Sequence, residues 1–246
     1  MGGAPTPSGL TAAPPSGDER RPWVDRGSFR YGGVLLLTLV VAIFALTAPE
    51  GRGSRTIELL AAGTTLLVAV VTSRAPRRTR RVAGTALAIA LVIAGAGAAT
   101  GTADAVVSFA VIAVMLAAAA AVIVAGMVRL VLERGVVLQA ILGAVTIYLL
   151  AGLTFAFVIG TIAEAVHGAY FAQGTDGVQS QRVYYSFTVL TTTGFGDFTA
   201  ANRGGRALAV LEMLIGQIYL VTVIATLVGN LRRGPSAGVS GITRRG

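Results

Sequence analysis

Six apolar stretches, at residues 31–48, 57–73, 82–103, 105–128, 135–163 and 207–231, succeed one another along the chain, and this succession limits what it can fold into. A helix needs about 17 to 25 mostly apolar residues to cross a bilayer core. The runs at 31–48, 82–103, 105–128 and 135–163 contain no charged residue; 57–73 carries Glu58 at its edge, and 207–231 is interrupted by Glu212. Charged residues make up 13% of the 246, against roughly a quarter in soluble domains, so this chain cannot coat a globular surface in water. The expected fold is all-α and integral to the membrane, with six transmembrane helices.

The cations fit that count. All twenty basic residues are arginines, and loops on the cytoplasmic side collect them. With the N-terminus inside, Arg20, Arg21, Arg26, Arg30, Arg74, Arg77, Arg78, Arg80, Arg81, Arg129, Arg134, Arg232, Arg233, Arg244 and Arg245 all fall on the cytoplasmic side, which is fifteen of the twenty. Both termini are then cytoplasmic in a multi-pass protein of the cell membrane. The net charge of +9 therefore reads as membrane flanks and not as a nucleic-acid face. The run Arg77, Arg78, Arg80, Arg81 is a topology anchor that suits anionic lipid. Residues 1–30, rich in proline and glycine, read as a disordered tail without the apolar core of a cleaved signal. With no cysteine and one histidine, His167, thiol and zinc chemistry are excluded; His167 is expected as a solvated or packed side chain at the outer end of the fifth span.

Between the fifth and sixth spans, residues 182–197 are too short to cross a membrane and too apolar for a plain loop, which points to a re-entrant segment. Irregular backbone at membrane depth is tolerated where it is buried in protein or lines a watery cavity. The segment holds Thr191, Thr192, Thr193, Gly194, Phe195, Gly196 and Asp197 in order, preceded by Tyr184, Tyr185 and Ser186. As a dinucleotide fingerprint it fails, because the third glycine would fall on Thr199 and no parallel-sheet unit surrounds it.

In these residues the chain resembles the pore domain of tetrameric potassium channels, over roughly its last hundred residues. The family's usual filter, Thr-Val-Gly-Tyr-Gly-Asp, is matched with Thr193 in place of Val and Phe195 in place of Tyr. The resemblance implies a homotetramer in which K+ is held by Thr192, Thr193, Gly194 and Phe195, with Gly196 completing the strand. A dehydrated cation needs rings of carbonyls in place of its water. Aiming successive carbonyls at one axis needs alternating backbone handedness, which glycine reaches without strain. A pore helix is expected at about 181–190, its carboxyl end favouring a cation. The resemblance further implies that Tyr184 and Tyr185 form a cuff, that the Tyr185 hydroxyl bonds Asp197, and that Thr188 stands where relatives carry a glutamate. It also places an inner-helix hinge at Gly216, against which stands a plain packing glycine. Glu212 has two readings: a brace behind the filter bonded to Thr188, Thr191 or Tyr185, or an acid near the outer interface.

The domains expected are a cytoplasmic tail (1–30), a four-helix membrane domain without voltage-sensing arginines (31–130), a pore domain (135–233) and a short cytoplasmic tail (234–246). The fourth run holds no charge from 105 to 128, so steep voltage sensing by that helix is not expected. The last 13 residues are too few for a calcium- or nucleotide-sensing domain. The expected activity is passive K+ conduction, with no covalent chemistry and no cofactor besides the permeant ion. The alternatives are a weakly selective cation channel and a non-conducting membrane scaffold or transporter.

Overall fold

The computed structural model describes residues 30–73, 76–100, 105–134 and 138–231; most of the expected N-terminal tail and all of the C-terminal one lie outside them. Regular structure among these residues is helical: α1 Arg30–Thr47, α2 Arg52–Thr72, α3 Arg77–Thr100, α4 Ala105–Arg134, α5 Leu138–Ala165, α6 Gln179–Leu190 and α7 Arg203–Leu231. One antiparallel bridge joins Phe171 to Ala200. Helix breaks follow local chemistry. Pro49 disfavours helical geometry in the residue before it, and α1 ends just ahead. Pro76 opens α3, its carbonyl accepting the first helical bond from the Arg80 amide at 3.1 Å.

Four helical segments, Arg52–Thr72, Ala105–Leu132, Gln139–Ala165 and Arg203–Val223, are long and apolar enough to cross a membrane, and Tyr31–Thr47 is a shorter apolar helix. The protein is a multi-pass membrane protein. The sequence count of six also includes α1 and α3, and α3 opens on Arg77, Arg78, Arg80 and Arg81, all exposed.

Helix α4 lies at the centre of the first half, packed on α2, α3 and α5. Its buried residues Phe109, Ile112, Leu116, Ala119 and Ile123 recur at helical spacing and fill one cluster with Leu66 of α2 and Leu150, Leu153 and Phe157 of α5. A second cluster lies around the α5–α6 connection and the segment after α6: Ile159, Ala163, Tyr170, Phe171, Tyr185, Val189 and Ala200. Edge-to-face rings at 5.0 to 5.1 Å, Tyr170 on Phe171, Phe171 on Tyr185 and Phe171 on Phe198, give that cluster its shape. Between the two clusters sits α6, with α1, α5 and α7 around it.

Candidate pore site

Helix α6 is short, yet Gln179, Arg182, Val183, Tyr185, Ser186, Thr188, Val189 and Leu190 are all buried. It starts two residues before the expected position, because its free amides find partners there. The Val178 amide donates to the Gln181 side chain at 3.0 Å. The Gln179 amide donates to the Glu50 carboxylate at 2.8 Å, across 129 residues of sequence. A carboxylate at a helix N-terminus satisfies an orphan donor and complements the helix dipole. One turn on, Arg182 donates to the Asp176 carbonyl at 3.1 Å, pairs with Glu164 at 3.4 Å and lies 5.2 Å from the Phe109 ring centre, which Arg55 also approaches at 5.3 Å. The α1–α2 loop and α4 thereby touch the start of α6.

At the other end the backbone turns sharply. The Thr188 carbonyl accepts from both the Thr193 and Gly194 amides, at 2.9 and 3.1 Å, and the Thr191 hydroxyl bonds the Phe187 carbonyl and the Thr193 hydroxyl, at 2.7 and 2.9 Å. Beyond the turn, φ is +58° at Thr192, +51° at Gly194 and +83° at Gly196, with no positive value at Thr193 or Phe195 between them. This is the alternating handedness that a row of axis-facing carbonyls requires. Thr192 adopts it despite its Cβ, at a cost of about 1–2 kcal/mol that side-chain-free glycine avoids. A methyl group on Gly194 or Gly196 would meet nothing within 4 Å, so glycine is needed there for its conformation and not for space within one chain. All seven residues from 191 to 197 are exposed in the single chain, with Phe195 at 69%.

The two tyrosines divide their work differently from the expectation. Successive residues of a helix point about 100° apart, so only one of them faces the strand. That one is Tyr184: its ring stacks on Phe195 at 6.3 Å and 7°, and its hydroxyl bonds Asp197. Tyr185, expected to bond Asp197, instead turns into the aromatic cluster and bonds the Ala200 backbone. Thr188 bonds the Tyr185 carbonyl at 2.8 Å. His167 is exposed after α5.

Beside α6, α7 buries a narrow stripe containing Gly205, Glu212 and Gly216 and exposes Val210, Leu211, Leu214, Ile215, Ile218 and Val221. Glu212 is fully buried. Its partner is Ser186 of α6 at 2.5 Å, not the Thr188, Thr191 or Tyr185 that the brace reading named. Ser186 also lies 2.7 Å from the Gly152 carbonyl of α5. Gly216 is a close-approach glycine: a Cβ there would overlap the Leu190 carbonyl oxygen, and α7 runs unbroken through it. The Leu190 carbonyl also accepts from the Tyr148 hydroxyl at 3.3 Å, and Tyr148 stacks on Tyr219 at 5.9 Å.

The sequence carried signals for some of what was missed. Ser186 lies four residues before Leu190, on the same face of a helix expected to be buried, and Arg182 lies four before Ser186. Glu50 gave none, since its target is remote in sequence.

Comparison with known families falls on this same part of the chain. Residues 143–233 match the model of a family described as ion channel. The matched ion-channel segment covers most of α5, all of α6, the strand after it and all of α7, and is shorter than half the chain. No curated protein and no solved structure matches the chain.

Proposed function

We propose that the chain is a potassium channel in which four copies surround one pore and carry K+ passively down its gradient. The alternation of positive φ at Thr192, Gly194 and Gly196 carries this reading, because it turns successive carbonyls to one side of the strand, where they replace an ion's hydration shell. Thr192, Thr193, Gly194 and Phe195 would hold the ion, with Gly196 and Asp197 at the outer mouth. One strand cannot enclose an ion, and the exposure of 191–197 in the single chain supports closure by further copies. The pore helix directs its carbonyl end, at Leu190, toward the inner mouth of that strand, with Tyr148 beside it.

In this reading all six long helices span the cell membrane with both termini inside, and Arg77, Arg78, Arg80 and Arg81 meet anionic headgroups. Four cations crowd the start of α3 against the sense of its dipole, which favours an external anionic surface. Helix α4 contributes packing and not voltage sensing.

The deciding experiment is the reversal potential of the purified protein in planar bilayers, with potassium on one side and sodium on the other. Strong displacement toward the potassium equilibrium potential is expected. A value near zero with robust current would instead establish the second reading, a weakly selective cation channel. That reading is favoured by Phe195, which stacks on Tyr184 but has no hydroxyl to tie the strand to the pore helix. No current under any ionic condition would overturn both.

A further inference from the structure

Ser186 poses a problem of proton accounting. A serine hydroxyl has one proton to give. Its oxygen lies 2.7 Å from the Gly152 carbonyl and 2.5 Å from a Glu212 carboxyl oxygen. The carbonyl can only accept. If Ser186 gives its proton to Gly152, an ionised Glu212 would press a second acceptor against the same oxygen with no proton between. If Ser186 gives it to Glu212, the carbonyl is left in that position instead. Both short contacts are satisfied together only when the carboxyl brings a proton of its own.

The surroundings agree. Ser186 and Glu212 are both fully buried, and the second Glu212 oxygen, Oε2, has no hydrogen-bond partner among the described residues. A charged oxygen left bare in a buried site is far more costly than the carbonyl-like oxygen of a neutral acid. Among the described residues, the titratable groups facing Glu212 are Tyr148 on α5, Tyr185 on α6 and Tyr170 on the α5–α6 connection. All three are neutral near pH 7 and none supplies a counter-charge.

We propose that Glu212 is carried as an uncharged carboxylic acid that donates to Ser186, which donates in turn to the Gly152 carbonyl, so that one chain of two protons ties the outer helix, the pore helix and the inner helix together. The tie is doubled one turn further along. Ser186 and Leu190 are four apart on α6, Glu212 and Gly216 are four apart on α7, and Gly216 is where α7 touches the Leu190 carbonyl. The polar contact and the close-packed contact fix the pore helix at two points on one face, and the strand from 192 to 196 hangs from its end. Glu212 and Ser186 are thus positioning residues for the ion path, an assignment that rests on the channel reading.

The test is infrared difference spectroscopy on the purified full-length protein, together with potassium flux from reconstituted vesicles. Subtracting the spectrum of Glu212→Gln from that of the unaltered protein at neutral pH is expected to leave the carbonyl stretch of a protonated acid and no carboxylate stretch. In Ser186→Ala that acid band is expected to move as its hydrogen bond is lost, which locates the proton even if Glu212→Gln does not accumulate. Glutamine can donate to Ser186 and should retain flux, whereas Glu212→Ala and Ser186→Ala should lower it about tenfold, the scale of leaving a buried hydrogen-bonding group without its partner. A carboxylate band in the difference spectrum, or full flux from both Glu212→Ala and Ser186→Ala, would overturn the proposal. Absent flux from the unaltered protein would defeat the channel reading alone, since the infrared band reports the proton whether or not ions pass.

Discussion

Helices α1 and α2 bond their threonine hydroxyls locally, and the segment from α5 to α7 does the same but adds bonds between elements. In α1 and α2 the hydroxyls of Thr38, Thr47, Thr56, Thr64 and Thr65 each return to the carbonyl four residues back in the same helix. In the segment from α5 to α7, Thr146, Thr154, Thr161 and Thr222 make the same local bond, but other bonds cross between elements: Tyr148 to Leu190, Ser186 to Gly152 and Glu212, and Tyr219 to Ala144 at 2.6 Å. A bond within one helix leaves that helix free to sit anywhere its apolar face fits. A bond between helices fixes a relative position, and a carbonyl path for ions depends on such positions. The cross-element bonds of the second region therefore fix positions that the local threonine bonds of either region do not.

The largest effect should follow from the strand itself. Gly194→Ala forces a Cβ into a left-handed residue at about 1–2 kcal/mol per chain, and it meets nothing sterically. Potassium flux should fall below detection while circular dichroism and the yield of assembled protein stay unchanged. Retained flux would show that the alternation at 192, 194 and 196 does not line the path.

Next in size is the contact between α6 and α7. Gly216→Val places atoms on the Leu190 carbonyl, and overpacking of this kind costs about 1–3 kcal/mol. The thermal midpoint in detergent should drop, and flux with it. If Gly216 acted as a hinge instead, Gly216→Ala would alter open probability while leaving the midpoint in place, and the two measurements separate these roles.

Glu50 in the α1–α2 loop is one place where the two regions meet, beside the Phe109 contact of Arg182, and its removal tests whether a bond from the first region bears on the second. Glu50→Ala strips the acceptor from the Gln179 amide, a loss of about 1 kcal/mol by analogy with other N-terminal caps. Flux should fall modestly, although the residue is 129 positions from its partner. No change in flux would mean that the Glu50 bond does not help hold α6.

How much of this was legible in the sequence follows from the range of each interaction. Apolar runs are long and local, so all seven helices lie close to their expected places, from α1 at Arg30–Thr47 to α7 at Arg203–Leu231. The alternating strand from 192 to 196 was legible because its requirement, glycine at alternate positions, is written in adjacent residues. The Tyr184 and Tyr185 assignment was not, since it turns on the rotational phase of one short helix. Nor was Ser186 as the partner of Glu212, which needs the depth of α7 relative to α6. Glu50 depends on how α1 packs against the pore helix, and no local pattern encodes that.

The smallest predicted effect is also the most demanding for the comparison. Thr38 of α1 is as fully buried as Ser186, and by burial alone the two hydroxyls should matter equally. Yet the Thr38 hydroxyl bonds only the Val34 carbonyl at 2.8 Å, one turn away. Valine has nearly the same shape and leaves no donor behind, so Thr38→Val should change stability by less than about 0.5 kcal/mol, against 1–3 kcal/mol when a buried group is orphaned. Flux should be untouched. A loss from Thr38→Val as large as that from Ser186→Ala would mean that burial, and not the reach of the bond from one element to another, decides which polar groups this protein depends on.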